Sequence, residues 1–318
     1  MPKMKTPTVS IIINCLNGER YLRQAIDSVF NQTYEDWEII FWDNGSTDAS
    51  AEIAKSYGDR VHYFSSEKTL TLGKARNLCM AQAKGDYIAF LDCDDIWLPQ
   101  KLEKQIPLFE RDNEVGLVFS DTVYFNENGI ICQLYKKSKP SRGRVLGELL
   151  RKYHLCITSV MIRKSAVQNI EWFDNTLSLC EDACFFLRVA YKFKLDYCDE
   201  PLVKYRVHPD SSTIKDFGGF AEERDLVLEI MKDEFPNFEK EYEEDLKFWQ
   251  AKTTTQKAIN EWINKNPENA RRILKNISIK NPSIYALFLI TFLPISTFNT
   301  LFILNYKIKN WFNWNKLE

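Results

Sequence analysis

Asp92, Asp94 and Asp95 crowd three carboxylates into four positions, directly after the short apolar run Tyr87-Ile88-Ala89-Phe90-Leu91. Carboxylates this close repel, which raises their proton affinity unless a cation or hydrogen-bond donors compensate. Asp92 and Asp94 lie two apart, so in an extended chain they share a side and can converge on one ion. Oxygen ligands of this kind suit a hard divalent cation, Mg2+ or Mn2+. The same acids would also serve as a solvated turn capping a helix that opens near Leu98-Pro99. The preceding run is too short for a buried helix and rich in residues that suit a strand. It reads as a central strand whose C-terminal end carries the acids, the end where ligands of open α/β sheets sit.

Other polar side chains end apolar runs in the same way. Asn14 closes Thr8-Val9-Ser10-Ile11-Ile12-Ile13, and Asp43 closes Trp37 to Trp42. Asp43 can accept from a nucleobase N–H or a ribose hydroxyl, or it can organise the Asn44-Gly45 turn. Glu181-Asp182 opens a helix, where first-turn acids often serve only the helix dipole. His208, in Tyr205-Arg206-Val207-His208-Pro209, reads as a ligand or as a surface loop histidine. His62 and His154 have no comparable setting.

Strands are expected at Thr8 to Asn14, Trp37 to Trp42, Val61 to Ser65 and Tyr87 to Leu91, with helices between them. Tyr21, Leu22, Ala25, Ile26, Val29 and Phe30 recur at helical spacing in the first. Ser46 or Thr47 is the expected N-cap of the second, running to about Tyr57, and the third covers Gly73 to Ala83. This alternation predicts an α/β fold, a mixed and mostly parallel sheet flanked by helices. Asn128-Gly129 then signals a hairpin between Gly116–Phe125 and Ile130–Tyr135. The basic stretch Lys136 to Arg144 reads as a mobile loop. Ile157 to Arg163 reads as a strand, Glu181 to Phe193 as a helix and Leu202 to Val207 as a last strand. The expected organisation is a catalytic domain over 1–215, a helical extension over 216–280 and an apolar tail over 281–318.

A chain of 318 residues with 27% charged content is globular in composition. From Arg271 onward seven Lys and Arg face Glu318 alone, which leaves the rest of the chain acidic. An acidic body argues against nucleic acid as partner, and a basic, apolar tail argues for an anionic membrane surface. Asn281 to Tyr306 carries no formal charge but is interrupted by Pro294 and polar residues. A broken helix at the interface suits it better than a clean span, the alternative being a helical hairpin that closes the core. No signal peptide is expected, because the N-terminus runs directly into a strand. The eight cysteines are then expected as reduced thiols in a cytoplasmic protein. Cys180-x-x-x-Cys184 lacks a second pair of metal-ligand spacing and reads as buried thiols rather than half a zinc site.

Taken together these stretches resemble glycosyltransferase family 2. The resemblance rests on Thr8 to Asn14, Asn17-Gly18, Ser28 to Tyr34, Trp37-Glu38-Ile39-Ile40 and Asp43-Asn44-Gly45-Ser46-Thr47-Asp48. It continues through Gly73-Lys74-Ala75-Arg76-Asn77 and Leu91-Asp92-Cys93-Asp94-Asp95, and covers roughly Thr8 to His208. It implies a GT-A fold, a nucleotide-diphosphate sugar donor and an inverting, metal-assisted transfer, and the membrane reading of the tail adds a saccharide or polyprenyl-linked acceptor to the expectation. By resemblance Asp43 contacts the base, usually uracil, and Arg76 lies near the donor. Asp92 and Asp94 match the family's DXD pair at ribose and metal, with Asp95 an alternative metal ligand to Asp94. His208 would touch the diphosphate or complete the metal shell. Asp182 matches the general base that deprotonates the acceptor, and a helix N-terminus is expected to keep it ionised. The rivals are a nucleotidyltransferase, disfavoured by a single glycine after the first strand, and an inactive membrane-attached scaffold, disfavoured by the intact acids.

Overall fold

The computed structural model describes residues 6–211, 216–277, 287–289, 291 and 292. They belong to two compact units, Met1–Val145 with His154–Val207 and Leu146–Tyr153 with His208–Glu318.

The first unit is a mixed α/β fold. Its strands are β1 (Val9–Cys15), β2 (Trp37–Asp43), β3 (Val61–Ser65), β4 (Tyr87–Phe90), β5 (Ile96–Trp97), β6 (Val115–Asn126), β7 (Gly129–Gln133), β8 (Met161–Arg163) and β9 (Lys194–Arg206). They run in the order β3-β2-β1-β4-β8-β6-β9-β5, with β7 paired outside on β6. The long ladders, β1–β2, β2–β3 and β6–β9, are parallel, as is β1–β4. The antiparallel ladders are short and gather around β8, β5 and β7. β1 and β2 are buried at every position, which a strand covered on both faces must be, and their β-branched and aromatic runs suit that.

The helices α1 (Glu19–Phe30), α2 (Ser50–Lys55), α3 (Leu72–Gln82) and α4 (Lys101–Arg111) follow the first, second, third and fifth strands. α1 turns Leu22, Ala25, Ile26 and Val29 to the core at helical spacing. The second helix starts later than its expected Ser46 or Thr47 cap. Ser46 Oγ instead accepts the Asn17 N–H (2.9 Å), and Asp48 Oδ1 accepts the Ser50 N–H (3.0 Å). The stretch 136–144 is laid along β9 rather than left mobile. Gly143 and Leu195 exchange both backbone hydrogen bonds (2.8 Å each), Arg142 pairs with Asp196 and Lys139 with Asp199. Exposed ion pairs contribute little, so the backbone pair and the Arg142–Tyr197 stack (4.4 Å) hold it down.

Besides α5 (Leu146–Arg151), the second unit contains α7 (Phe217–Glu234), α8 (Phe238–Glu241), α9 (Glu243–Ile263) and α10 (Pro267–Lys275); α6 (Glu181–Lys192) belongs to the first. Trp249 anchors α9 to α7, its indole N–H donating to Arg224 O (3.0 Å) while the Arg224 guanidinium stacks on the ring at 3.7 Å. Leu287 packs with Ala258, Ile259 and Leu274, and Arg271 donates to Thr291 O (2.9 Å). Leu287 and Thr291 of the apolar tail therefore pack on these helices. The remainder of 281–318 lies outside the described residues, and among those described no helix is long and apolar enough to cross a membrane.

Candidate functional site

Three parallel strands end at one edge of the sheet, and each delivers a polar residue there. On β1 Asn14 is buried, and its amide donates to Cys79 Sγ on α3 (3.7 Å). At the end of β2, Asp43 is buried with both carboxylate oxygens engaged. Oδ1 accepts the Ser46 N–H (2.8 Å) and Oδ2 accepts the Tyr63 hydroxyl (2.8 Å). Asp43 thus organises the turn that follows it, and any base contact would use its remaining lone pairs.

After β4 the chain turns sharply, with the Asp95 N–H donating to Asp92 O (3.1 Å). Asp92 and Asp94 are half-buried at this turn. Asp95 is turned beneath it and only 1% exposed; Oδ1 accepts the Arg206 N–H (2.8 Å) and Oδ2 is buried without a hydrogen-bond partner. Burial, with Asp94 and Asp92 adding to it, pushes the Asp95 carboxyl well above the usual carboxylate range. Arg206 clamps the turn from β9. Its Nε donates to Asp94 O (2.8 Å), its Nη2 to Gln24 Oε1 (2.8 Å), and the guanidinium lies between the rings of Tyr21 (4.3 Å) and Phe125 (4.5 Å).

Arg76 ties this turn to α6. It is buried on α3, donating through Nη2 to Asp92 Oδ1 (2.8 Å) and through Nη1 to Glu181 Oε1 (2.5 Å). The neighbours of Arg76 in Gly73-Lys74-Ala75-Arg76-Asn77 make that reach possible. A Cβ at Gly73 would stand 2.8 Å from Asp174 O and 3.3 Å from Phe173 Cβ, so only glycine admits the Phe173-Asp174 segment this close. Asn77 grips the backbone of Phe173 at both its N–H (3.0 Å) and its carbonyl (2.7 Å), which sets the segment leading into α6.

Asp182, half-buried in the first turn of α6, accepts the Ala183 N–H on Oδ1 (2.6 Å). Its carboxyl is pushed up to about 7 by burial and by the charge of Glu181, with Asp92 adding to the rise and Arg76 opposing it. The expected effect of the helix N-terminus is outweighed. A dipole contributes about 0.3–1 kcal/mol, less than burial next to two like charges. Glu181, next to Asp182 in sequence, is held by the same arginine that holds Asp92, which brings Asp182 towards the acidic turn.

Asp92 and Asp94 are the residues that could hold a divalent cation. Burial pushes the Asp92 carboxyl up against the pull of Arg76, and Asp94 adds to the rise, a conflict a bound cation would relieve. Among the described residues no three His, Cys, Asp or Glu side chains gather to hold an ion unaided. One or two carboxylates with substrate phosphates completing the shell is a usual arrangement for Mg2+. His208 opens the second unit, where its backbone N–H donates to Ser211 Oγ (3.3 Å).

Arg76, Asp92 and Asp182 are thus brought together, with Asp94 and Asp95 on the same turn and Asn14 and Asp43 on the adjoining strand ends. Sequence reasoning assigned no role to Glu181 or Arg206. Glu181 was legible only as a first-turn acid, because its partner Arg76 lies 105 positions away. Arg206 stands in the quoted Tyr205-to-Pro209 stretch, but its clamp on the turn spans 112 positions.

A sheet of this order, with an acidic turn after its central parallel strand, is a GT-A fold. Solved structures share it. S. aureus TarS, residues 1–349, superposes with a TM-score of 0.65 at 18% identity, over 85% of this chain and 81% of that one. The mannosyltransferase PcManGT of Pyrobaculum calidifontis does so at 0.60 and 14%, over 98% and 89%. The chain belongs to glycosyl transferase family 2, whose profile matches residues 10–171. An uncharacterised glycosyltransferase of Methanocaldococcus jannaschii is 35% identical over 211 residues, 64% of this chain and 72% of the relative. Another, of Rickettsia prowazekii, is 32% identical over 236 residues, 71% and 72% of the two chains.

Proposed function

We propose that this enzyme moves a sugar from a nucleotide-diphosphate donor, a UDP-sugar by preference, to a hydroxyl of a saccharide or lipid-linked acceptor with inversion at the anomeric carbon. The observation that carries the reading is the Arg76 bridge, which joins Asp92 at the strand edge to Glu181 and brings Asp182 into range. TarS has been crystallised with UDP-GlcNAc, and PcManGT with GDP-Man and Mn2+, which supports a nucleotide sugar as the donor class.

Asp43 and Asn14 lie where a base and ribose would be received, Asp92 binds the ribose side of the donor, and Arg76 holds Asp92 in place. Asp94 would hold the metal, its neighbour Asp95 being buried beneath the turn. A cation held by Asp94 would supply neutralisation of the charge on the departing diphosphate. Asp182 accepts the proton of the acceptor hydroxyl as that oxygen attacks, so a single displacement needs no covalent enzyme intermediate. The basic, apolar 281–318 stretch attaches the enzyme to the inner face of the cell membrane, which suits a lipid-linked acceptor of cell-surface polysaccharide.

A panel of UDP-, GDP- and dTDP-sugars tests this with Mn2+ present, following nucleoside diphosphate release and the anomeric proton of the product by NMR. Inverted product from one donor class supports the reading. Retained configuration overturns the mechanism, and pyrophosphate from a nucleoside triphosphate and a sugar phosphate would replace it with nucleotidyl transfer.

A further inference from the structure

The residue between Asp92 and Asp94 is a cysteine, and a second cysteine closes β1. The parallel register of β1 with β4 ends at Ile12 and Phe90, and Cys15 and Cys93 each lie three residues beyond it. Both side chains belong to the same side of the sheet, Cys15 within the core cluster of Ile11, Ile13 and Leu91 and Cys93 packed against it. A Cβ at Gly18 would lie 2.7 Å from Cys15 Sγ and 3.0 Å from Cys93 Sγ, so the two sulfurs share one small space under the Asn17-Gly18 turn. Both are free thiols, Cys15 buried and Cys93 partly open to solvent.

We propose that Cys15 and Cys93 are a redox modification site, closing into a reversible disulfide that staples the end of β1 to the acidic turn. The oxidant is a peroxide, and the half-exposed Cys93 meets it first. The Cys93 thiol takes one peroxide oxygen to become a sulfenic acid and the other leaves as water. Cys15 Sγ then attacks Cys93 Sγ, the S–O bond breaks, and the hydroxyl leaves as a second water with the Cys15 proton. Two thiols have lost two electrons to one peroxide, and a small dithiol returns them by exchange. The effect on donor binding rests on the glycosyltransferase reading. Drawing Cys93 Sγ to covalent distance from Cys15 Sγ pulls on the backbone that presents both Asp92 and Asp94. Losing one charged contact to the donor lowers its affinity by about tenfold or more.

The test treats the full chain with hydrogen peroxide, alkylates the remaining thiols and maps cross-linked peptides by mass spectrometry. Calorimetry then follows UDP with Mn2+ on the same samples. The expected result is a peptide pair joining Cys15 to Cys93, lost with dithiothreitol and absent from both Cys15→Ser and Cys93→Ser. UDP affinity falls at least tenfold in the cross-linked protein and recovers on reduction, while peroxide leaves the affinity of Cys93→Ser at its starting value. The proposal is overturned if both thiols stay alkylatable under conditions that oxidise the half-exposed Cys132 and Cys198, or if the cross-linked chain binds UDP as tightly as the reduced one. Reduced wild type that binds no UDP would sink the donor reading instead, and the peptide map alone would then decide the cross-link.

Discussion

Asp182→Asn should abolish transfer and, at alkaline pH, make the protein more stable. Asn reproduces the shape of a protonated carboxyl but can neither take a proton nor carry the charge its surroundings resist. Loss of a general base costs about a hundredfold to ten-thousandfold in turnover. The stability effect follows from the rise of the Asp182 carboxyl from its ordinary 3.8 to about 7. Between those values the folded chain keeps a proton that the unfolded chain has released, so stability falls as pH rises through the window. Above it both states are ionised and the whole cost is present; below it both are protonated and the cost is gone. The full shift corresponds to about 4 kcal/mol at about 1.4 kcal/mol per unit. Partial exposure of the side chain reduces this to about 1–2 kcal/mol. Differential scanning calorimetry at pH 8 should therefore place the Tm of the variant a few degrees above wild type, on the order of 2–4 °C per kcal/mol. The gap should narrow steadily on acidification towards pH 4. In wild type kcat/KM should fall about tenfold per unit below pH 7, because only the ionised carboxylate accepts the acceptor's proton. A variant that keeps a tenth of the wild-type rate, or a Tm gap independent of pH, would refute the reasoning.

Three further substitutions probe what surrounds Asp182. Arg76→Gln leaves the buried Glu181 carboxylate without its cation and should cost about 3–5 kcal/mol in urea unfolding; a loss below about 1 kcal/mol would show that the bridge is not structural. Gly73→Ala improves helix propensity yet forces a Cβ to 2.8 Å from Asp174 O. It should therefore destabilise by about 1–3 kcal/mol, and a stabilised variant would contradict the packing argument. Arg206→Ala removes the clamp on the Asp94 carbonyl and should weaken metal-dependent UDP binding about tenfold in isothermal titration, with Tm recorded alongside to confirm folding. Unchanged affinity in a folded variant would remove Arg206 from the site.

The parts of this molecule legible in its sequence are those where local chemistry and tertiary role agree. β1, β2 and β4 are buried apolar runs, and their strand ends carry the polar residues that mark the site. Where the two disagree the pattern misleads. β9 begins at Lys194, eight residues before the expected Leu202, because Asp196, Asp199, Glu200 and Pro201 interrupt its alternation. Asp196 pairs in register with Val118, but Asp199, Glu200 and Pro201 fall at shifts in register around Ser120 and Asp121, where a regular pairing pattern is not required. Of the stretch expected as a strand from Ile157, only Met161–Arg163 is one; Ile157–Ser159 form a tight helical turn. Asp95 reads as an exposed acid beside two others, yet its carboxylate is buried against the Arg206 backbone of a strand far away in sequence. Long-range pairs of this kind leave no local periodicity to read.

The central claim is that Asp92 and Asp94 bind a nucleotide donor together, Asp92 at the ribose and Asp94 through a divalent cation on the diphosphate. Calorimetric titration of UDP into wild type and Asp94→Asn, each with Mn2+ and with a chelator, tests it most directly. The account predicts binding by wild type only with the metal present and little or none by the variant. Equal affinity with and without Mn2+, or an Asp94→Asn variant that binds like wild type, would contradict it.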